Sequence, residues 1–353
     1  MIIIGALAEF WGNVWPYLVA ILCFLVLIII HEFGHFIAAK SLGVRVNEFA
    51  VGFGPKLFSK QWGETKYSFC LIPFGGYCAM EGEDEGSEDE RAFCNKKPWR
   101  RFLIVAMGAI FNLVFGLILI AIILAPVDRF TTTKIADFRE DAVSAKHGLE
   151  VDDKIIEVDG RHIFATYDLS YAFTNVKDGK IDMVVERDGK KVELKDVEFL
   201  SETMDGINFL TVDFYVYGQE KTVTSFISNT FKTAASHCAV IWRSLIDLVS
   251  GKYGISAMSG PVGVTTVIGT AAKQSLSDLL NIMALITINL GMFNLLPIPA
   301  LDGGRLLFII VEMIFRKPIP QKYEAWVHGI GFALLIAFML FITASDILKL
   351  ITG

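Results

Sequence analysis

Four stretches of this chain are apolar for long enough to cross a bilayer, which takes about 20 residues of helix. Residues 15–30 are apolar except for Pro16, and the run continues through a short polar interruption to Ala39 before Lys40 ends it. Residues 102–126, 279–298 and 329–344 repeat the pattern. Between the first two runs the helical period is lost. Residues 46–58 carry Gly52, Gly54 and Pro55, which predicts short strands and turns. Residues 66–80 (KYSFCLIPFGGYCAM) are strand-like and aromatic, with a bend expected at Pro73 and Gly75-Gly76. Residues 127 to about 220 change character again: apolar runs shorten and charge returns. Residues 154–160 alternate and then turn, and 181–194 predict a hairpin with Asp188-Gly189 at its tip. Short helices are expected over 141–147 and 165–176. Residues 219–250 read as an amphipathic helix, either lying on the membrane surface or connecting domain to membrane.

The fold class expected is therefore a polytopic α-helical membrane protein with four transmembrane helices, a membrane-associated β-hairpin and one β-rich domain. Its segments are 1–126 (two spans and the hairpin), 127–218 (the β-rich domain), 219–275 (the connector) and 276–353 (two spans). Composition agrees, with 53% of the 353 residues hydrophobic and 20% charged. A net charge of −6 gives no sign of nucleic-acid binding. Cysteines 23, 70, 78, 94 and 238 form no C-x-x-C pair, which argues against a disulfide framework or a cysteine zinc site; Cys70 and Cys78 could still face each other across the hairpin. Residues 1–14 lack a basic region, so the first run is expected to be a retained helix rather than a cleaved signal. Lys96, Lys97, Arg100 and Arg101 flank Trp99 just before the second run. Basic and aromatic residues there mark a cytoplasmic interface, placing residues 40–101 inside and the β-rich domain outside. The acidic run 81–90 is expected to be a solvated, partly disordered loop.

The candidate chemistry lies inside the first apolar run. His31-Glu32-Phe33-Gly34-His35 is an H-E-x-x-H motif. Residues four apart share a helix face, so both imidazoles can reach one Zn²⁺, with Glu32 beside them as general base. Ionisable side chains at membrane depth are costly and mark function. Two histidines with no metal role, packed inside a helix bundle, are the plainer alternative. The third run breaks at Pro297 and Pro299, and Asp302 follows before Gly303-Gly304. Irregular backbone at membrane depth needs a cavity or protein around it, which makes Asp302 the candidate third ligand; the alternative is a cap for the following helix. Asn112, the one strongly polar residue of the second run, either bonds near the metal or bridges helices. The hairpin either offers an edge to an extended substrate or is a small sheet packed on the membrane face. His147, His162, His237 and His328 are read as surface or interfacial residues. Residues 259–263 (SGPVG) predict a tight loop.

Taken together these motifs resemble the site-2 protease family of intramembrane zinc metallopeptidases. The resemblance rests on His31-Glu32-x-x-His35, on N-x-x-P-x-x-x-x-D-G from Asn294 to Gly303, and on Gly108-x-x-x-Asn112. Residues 142–163 (AVSAKHGLEVDDKIIEVDGRHI) are similar to a PDZ domain, with Asp152 where that pattern has Gly and Asp159 where it has Asn. The resemblance implies Zn²⁺ held by His31, His35 and Asp302, with Glu32 as base and later acid. It implies substrate positioning by Asn294 and Pro297, and strand addition on the hairpin around Phe74, Gly75 and Gly76. It further implies single-span or signal-peptide substrates already trimmed by an upstream site-1-type protease, and a PDZ-like domain outside the cytoplasmic membrane that filters them by size. A non-catalytic PDZ-containing membrane scaffold with a structural zinc is the competing expectation.

Overall fold

The computed structural model describes residues 2–83, 85–174, 176, 178–204, 207–252 and 258–352. The chain divides into two compact units, Met1–Leu119 with Gly251–Gly353, and Ile120–Ser250. Helix α1 (Ile2–Ser41) carries the first apolar run, with Pro16 inside it. Strands β1 (Val46–Trp62) and β2 (Thr65–Met80) follow, then helix α2 (Pro98–Leu124). Gly34 lets α1 and α2 touch: a Cβ there would lie 2.3 Å from the Met107 carbonyl oxygen. Small residues at such crossings are how apolar helices approach closely without a hydrophobic driving force.

The two strands are longer than the predicted hairpin and folded on themselves. Val51 faces Gly76 on one side and Phe69 on the other, while Phe58 also faces Phe69. Residues 46–51 thus run between 76–80 and 66–69, which leaves 76–80 as an edge. The corners fall at Gly52 (φ 85°) and Gly75 (φ 103°), left-handed conformations that glycine adopts without a Cβ penalty. Cys70 and Cys78 are free thiols, so no cross-hairpin disulfide forms. At the turn, Glu64 is held down to about 2 by Arg91 and, next, Lys40.

The acidic run is solvated as expected, with no buried residue among those described, but it is held in place. Asn47 donates to Glu81 at 2.8 Å, Ser87 donates to Glu81 at 2.7 Å, and Glu83 is paired with Arg305. The loop is tied down because donors and cations distant in sequence fold around it.

In the second unit, the sheet order is β10-β3-β4-β6-β7, with β5 paired to β4. These strands are β3 (Arg129–Phe138), β4 (Lys154–Val158), β5 (Arg161–His162), β6 (Lys180–Arg187), β7 (Lys190–Glu198) and β10 (Phe214–Glu220). A separate pair, β8 (Ser201–Met204) and β9 (Ile207–Leu210), lies between β7 and β10 in sequence. Alternate residues of β6, Ile181, Met183 and Val185, enter a core with Ile135, Ile155 and Val158. The expected hairpin closes through Asp188 (φ 49°) and Gly189 (φ 75°), both left-handed as a type I′ turn requires. The expected helix at 141–147 shortens to a 3-10 turn, Ser144–His147, and that at 165–176 to α3 (Thr166–Ala172).

Asp153 is fully buried and accepts from Arg187 Nε at 2.7 Å and from the Glu150 amide at 2.9 Å. Removing one partner of such a pair costs about 3–5 kcal/mol, because a buried charge is left behind. Arg187→Leu is therefore expected to destabilise this unit by about 3 kcal/mol, read as a lower midpoint in chemical denaturation; an unchanged midpoint would show the pair to be dispensable.

Helix α4 (Val223–Val249) is clamped to α3 and β5 within the same unit. Arg161 donates twice to Asp247, at 2.7 and 3.1 Å, and Tyr171 donates to Asp247 at 3.0 Å. His237, expected at a membrane interface, is instead buried and stacks on Tyr167 with ring centroids 4.8 Å apart. That burial pushes its imidazole below the ordinary histidine range.

The 219–275 stretch, expected as one connector, carries α4 in the second unit and α5 (Pro261–Gln274) in the first. The SGPVG loop is the start of α5: the Gly260 and Gly263 amides donate to Asp346 at 2.9 and 2.8 Å. Helices α6 (Leu276–Leu295), α7 (Asp302–Phe315) and α8 (Gln321–Thr352) complete the chain. Among the described residues, four helices are long and apolar enough to cross a membrane: Val14–Ser41, Pro98–Leu124, Leu276–Leu295 and Lys322–Lys349.

Candidate metal centre

The helical period of α1 places His31 and His35 one turn apart, with ring centroids 4.8 Å apart. Both rings press against Gly108 of α2, where a Cβ would lie 2.2 Å from His35 Nε2 and 2.9 Å from His31 Cε1. Any larger residue at 108 would push the rings aside.

His35 Nδ1 donates to the Ile104 carbonyl at 2.9 Å, which leaves the Nε2 lone pair free to face inward. His31 Nδ1 lies 3.2 Å from the Asn112 side-chain nitrogen. The two ends of an Asn amide exchange by a half-turn with no change of shape. With Oδ1 presented, His31 Nδ1 donates, its Nε2 is freed like that of His35, and the buried Asn112 Oδ1, otherwise without a hydrogen bond, is satisfied. Asn112 thus joins the site through its side chain; separately, its main-chain carbonyl accepts from Thr287 of α6 at 3.1 Å.

Asp302 arrives from α7, far along the chain. Its Oδ2 lies 3.1 Å from His31 Nε2 and 3.3 Å from His35 Nε2, and the two Nε2 atoms are 3.3 Å apart. That Oδ2 is buried and has no hydrogen bond of ordinary geometry. Ligand atoms ~2.0–2.1 Å from a tetrahedral Zn²⁺ lie about 3.3–3.4 Å from one another, so this triangle has the size of three tetrahedral positions. The capping alternative for Asp302 does not hold: the N-cap of α7 is Leu301, and no side chain caps it.

The three residues open onto a cavity of about 700 Å³ that Glu32, the β2 edge, Arg305 and His328 also line. Gly76 brings the edge to the motif, for a Cβ there would be 3.3 Å from Glu32 Cγ. Gly75 forms the preceding corner, and the Phe74 side chain lies outside the described residues. Asn294 is buried in the last turn of α6, and neither it nor Pro297 lines the cavity. Cys78 also lines it, and burial pushes its thiol above the ordinary range.

Sequence reasoning missed Glu83, Arg305 and His328. The first looked like one carboxylate of a solvated run, and His328 like an interfacial residue at the start of an apolar helix. No spacing signal links them to the motif, because their neighbours come from other elements.

A paired-histidine helix with its own glutamate, completed by a carboxylate from elsewhere in the chain, is the constellation of a metallopeptidase. Which metallopeptidase follows from comparison: residues 19–338 match peptidase family M50, and the chain belongs to that family. This agrees with the site-2 protease resemblance of the motifs, and with four apolar helices it makes the chain a multi-pass membrane protein. A Clostridium perfringens protein named as a candidate zinc metalloprotease is 36% identical over 334 residues, covering 93% of this chain and 97% of its own length. A Fusobacterium nucleatum protein with the same kind of name is 34% identical over 352 residues, covering 95% and 99%. One from Clostridium acetobutylicum is 35% identical over 339 residues, covering 93% and 96%.

Proposed function

We propose that the chain is an intramembrane zinc metalloprotease that hydrolyses peptide bonds within or near the transmembrane segments of single-span substrates. The observation that carries this reading is the His31–His35–Asp302 triangle at ligand spacing, in one cavity with Glu32 and a free strand edge. His31, His35 and Asp302 would hold the zinc, which when bound would polarise the scissile carbonyl and make a water nucleophilic near neutral pH. Glu32 takes the proton of the attacking water and delivers it to the leaving amine nitrogen. A helical substrate must unwind at the cut, and each freed amide costs several kcal/mol in lipid unless it finds a partner. The 76–80 edge beside Glu32 supplies such partners as an added strand. Asn294 is buried off the cavity, so this reading gives it no contact with substrate.

Residues 40–101 face the cytoplasm, as the basic cluster with Trp99 favours, and the metal centre lies toward that side of the cytoplasmic membrane. Residues 127–218, within the Ile120–Ser250 unit, are a PDZ-like domain outside. Asp152 (φ 73°) and Asp159 (φ 48°), which stand where that pattern has Gly and Asn, take left-handed conformations, which Gly and Asn adopt most readily, and this supports the likeness. Substrates of the anti-sigma-factor or remnant-signal-peptide type, first shortened by a site-1-type protease, would pass this domain. A scaffold with a structural zinc would need a closed site of four protein ligands, and the described residues offer three.

The deciding experiment is reconstitution of the purified full-length chain in vesicles with a single-span peptide. Cleavage that is lost on chelation and restored by zinc is expected; a zinc-loaded chain with no turnover on any such peptide would favour the scaffold. A second expectation concerns Asn112→Ala. Loss of an outer partner of a metal-bound histidine typically costs ~10–100-fold in metal affinity or activity, and a drop in that range is expected in chelator competition. Unchanged affinity would reduce Asn112 to a helix bridge.

A further inference from the structure

The segment between α6 and Asp302 has few ways to hold its shape. Pro297 and Pro299 have no amide hydrogen. The Ile298 amide bonds to Leu296 and the Leu301 amide to Ile298, both within the segment. The Ala300 amide reaches outside it: it donates to His328 Nδ1 of α8 at 3.1 Å. Ala300 also has φ 75°, which a residue with a Cβ keeps only where its surroundings hold it.

The His328 side of the contact is shaped for it. A Cβ on Gly304 would lie 3.0 Å from His328 Cε1, and a Cβ on Gly331, one turn further along α8, would lie 2.3 Å from Pro299 Cβ. Gly331 therefore lets α8 sit directly on the segment, and Gly304 lets the His328 ring close against the start of α7. Phe308 packs at the ring from α7, with centroids 5.9 Å apart.

We propose that His328 is the positioning residue of the zinc-ligand loop: its unprotonated Nδ1 holds the Ala300 amide and so sets where the Asp302 carboxylate stands relative to His31 and His35. The zinc half of this inference rests on Asp302 being a ligand, as proposed above; the loop-holding half does not. Because Nδ1 accepts, the ring is neutral and carries its hydrogen on Nε2. The role is that of an outer partner acting through the backbone, two residues from the ligand.

The test compares His328→Asn, His328→Gln and His328→Leu in the full-length chain in detergent. An Asn side chain places Oδ1 where Nδ1 stands; Gln places its polar atoms further out, and Leu has none. Hydrogen exchange of the Ala300 amide is measured first on metal-free protein. Exchange at least about tenfold faster is expected in the Gln and Leu variants, and near wild-type exchange in the Asn variant. Zinc competition against a chelator is measured second. A fall of ~10–100-fold is expected for Gln and Leu, the range found for outer partners of metal ligands, and about threefold or less for Asn. Unchanged exchange in the Leu variant overturns the proposal, as does faster exchange with unchanged zinc affinity. Equal losses in Asn and Leu overturn it too, since they would assign the effect to ring packing. A wild-type chain that binds no zinc would sink the metalloprotease reading instead, while the exchange comparison would still decide whether His328 holds the loop.

Discussion

Glu32→Gln is expected to leave a folded, zinc-loaded chain that no longer cleaves. Glutamine has nearly the shape of glutamate, so the close packing of Gly76 against residue 32 survives. The His31, His35 and Asp302 donors are untouched, so zinc content by elemental analysis should match wild type. What is lost is the group that moves the proton from water to the leaving nitrogen. General acid–base groups contribute ~10²–10⁴ in rate, and because Glu32 serves both halves of the transfer, a kcat fall of about 10³ or more is expected. At about 1.4 kcal/mol per tenfold, that is roughly 4 kcal/mol of barrier. Turnover within about tenfold of wild type, in a variant shown to hold its zinc, would remove Glu32 from the mechanism.

The second large effect is the mirror image. Asp302→Ala takes away one corner of the triangle and leaves two imidazoles facing each other at 3.3 Å. Losing a direct ligand should cost more than the ~10–100-fold typical of an outer partner, so zinc is expected to wash out during purification. The fold should persist, because α7 is not capped by this side chain. A capping role would give the opposite pattern: a loss of about 1 kcal/mol in stability with zinc content unchanged. Cleavage fails in both variants, and the metal content tells them apart. Glu32→Gln is dead with zinc, Asp302→Ala dead without it.

Local order decided much of what could be read in advance. The four apolar runs were visible because a helix in lipid must satisfy its own backbone and present apolar side chains for about 20 residues. The H-E-x-x-H motif was visible because its geometry depends only on the helical repeat. The Asp188-Gly189 turn was visible because left-handed residues at a two-residue loop admit few side chains. Asp302 stood out for a related reason: a carboxylate beside two prolines and two glycines in an apolar run is costly unless used.

Other features belong to residues brought together from distant elements. The anchoring of Glu83 by Arg305, 222 positions away, ties down an acidic loop that stays solvated. The stacking of His237 on Tyr167 turned an expected interfacial residue into a buried one. The grip of His328 on Ala300 carried no pattern at all, since either residue alone looks ordinary. The twofold pairing of residues 46–51, which makes 76–80 an edge beside Glu32, depends on where Gly52 and Gly75 bend.

By itself, then, the order of residues determined that this chain has four helices long and apolar enough to cross a membrane and an H-E-x-x-H pair of histidines one helical turn apart with a glutamate beside them. Those properties repeat over one or two turns of backbone, where neighbours in sequence are neighbours in space. Only the tertiary structure decided that Asp302 closes on the pair, which strand edge borders it, and that His328 of α8 accepts from the Ala300 amide of the loop between them. Such contacts are set by how helices and bent strands pack, and close packing joins positions that no local period relates.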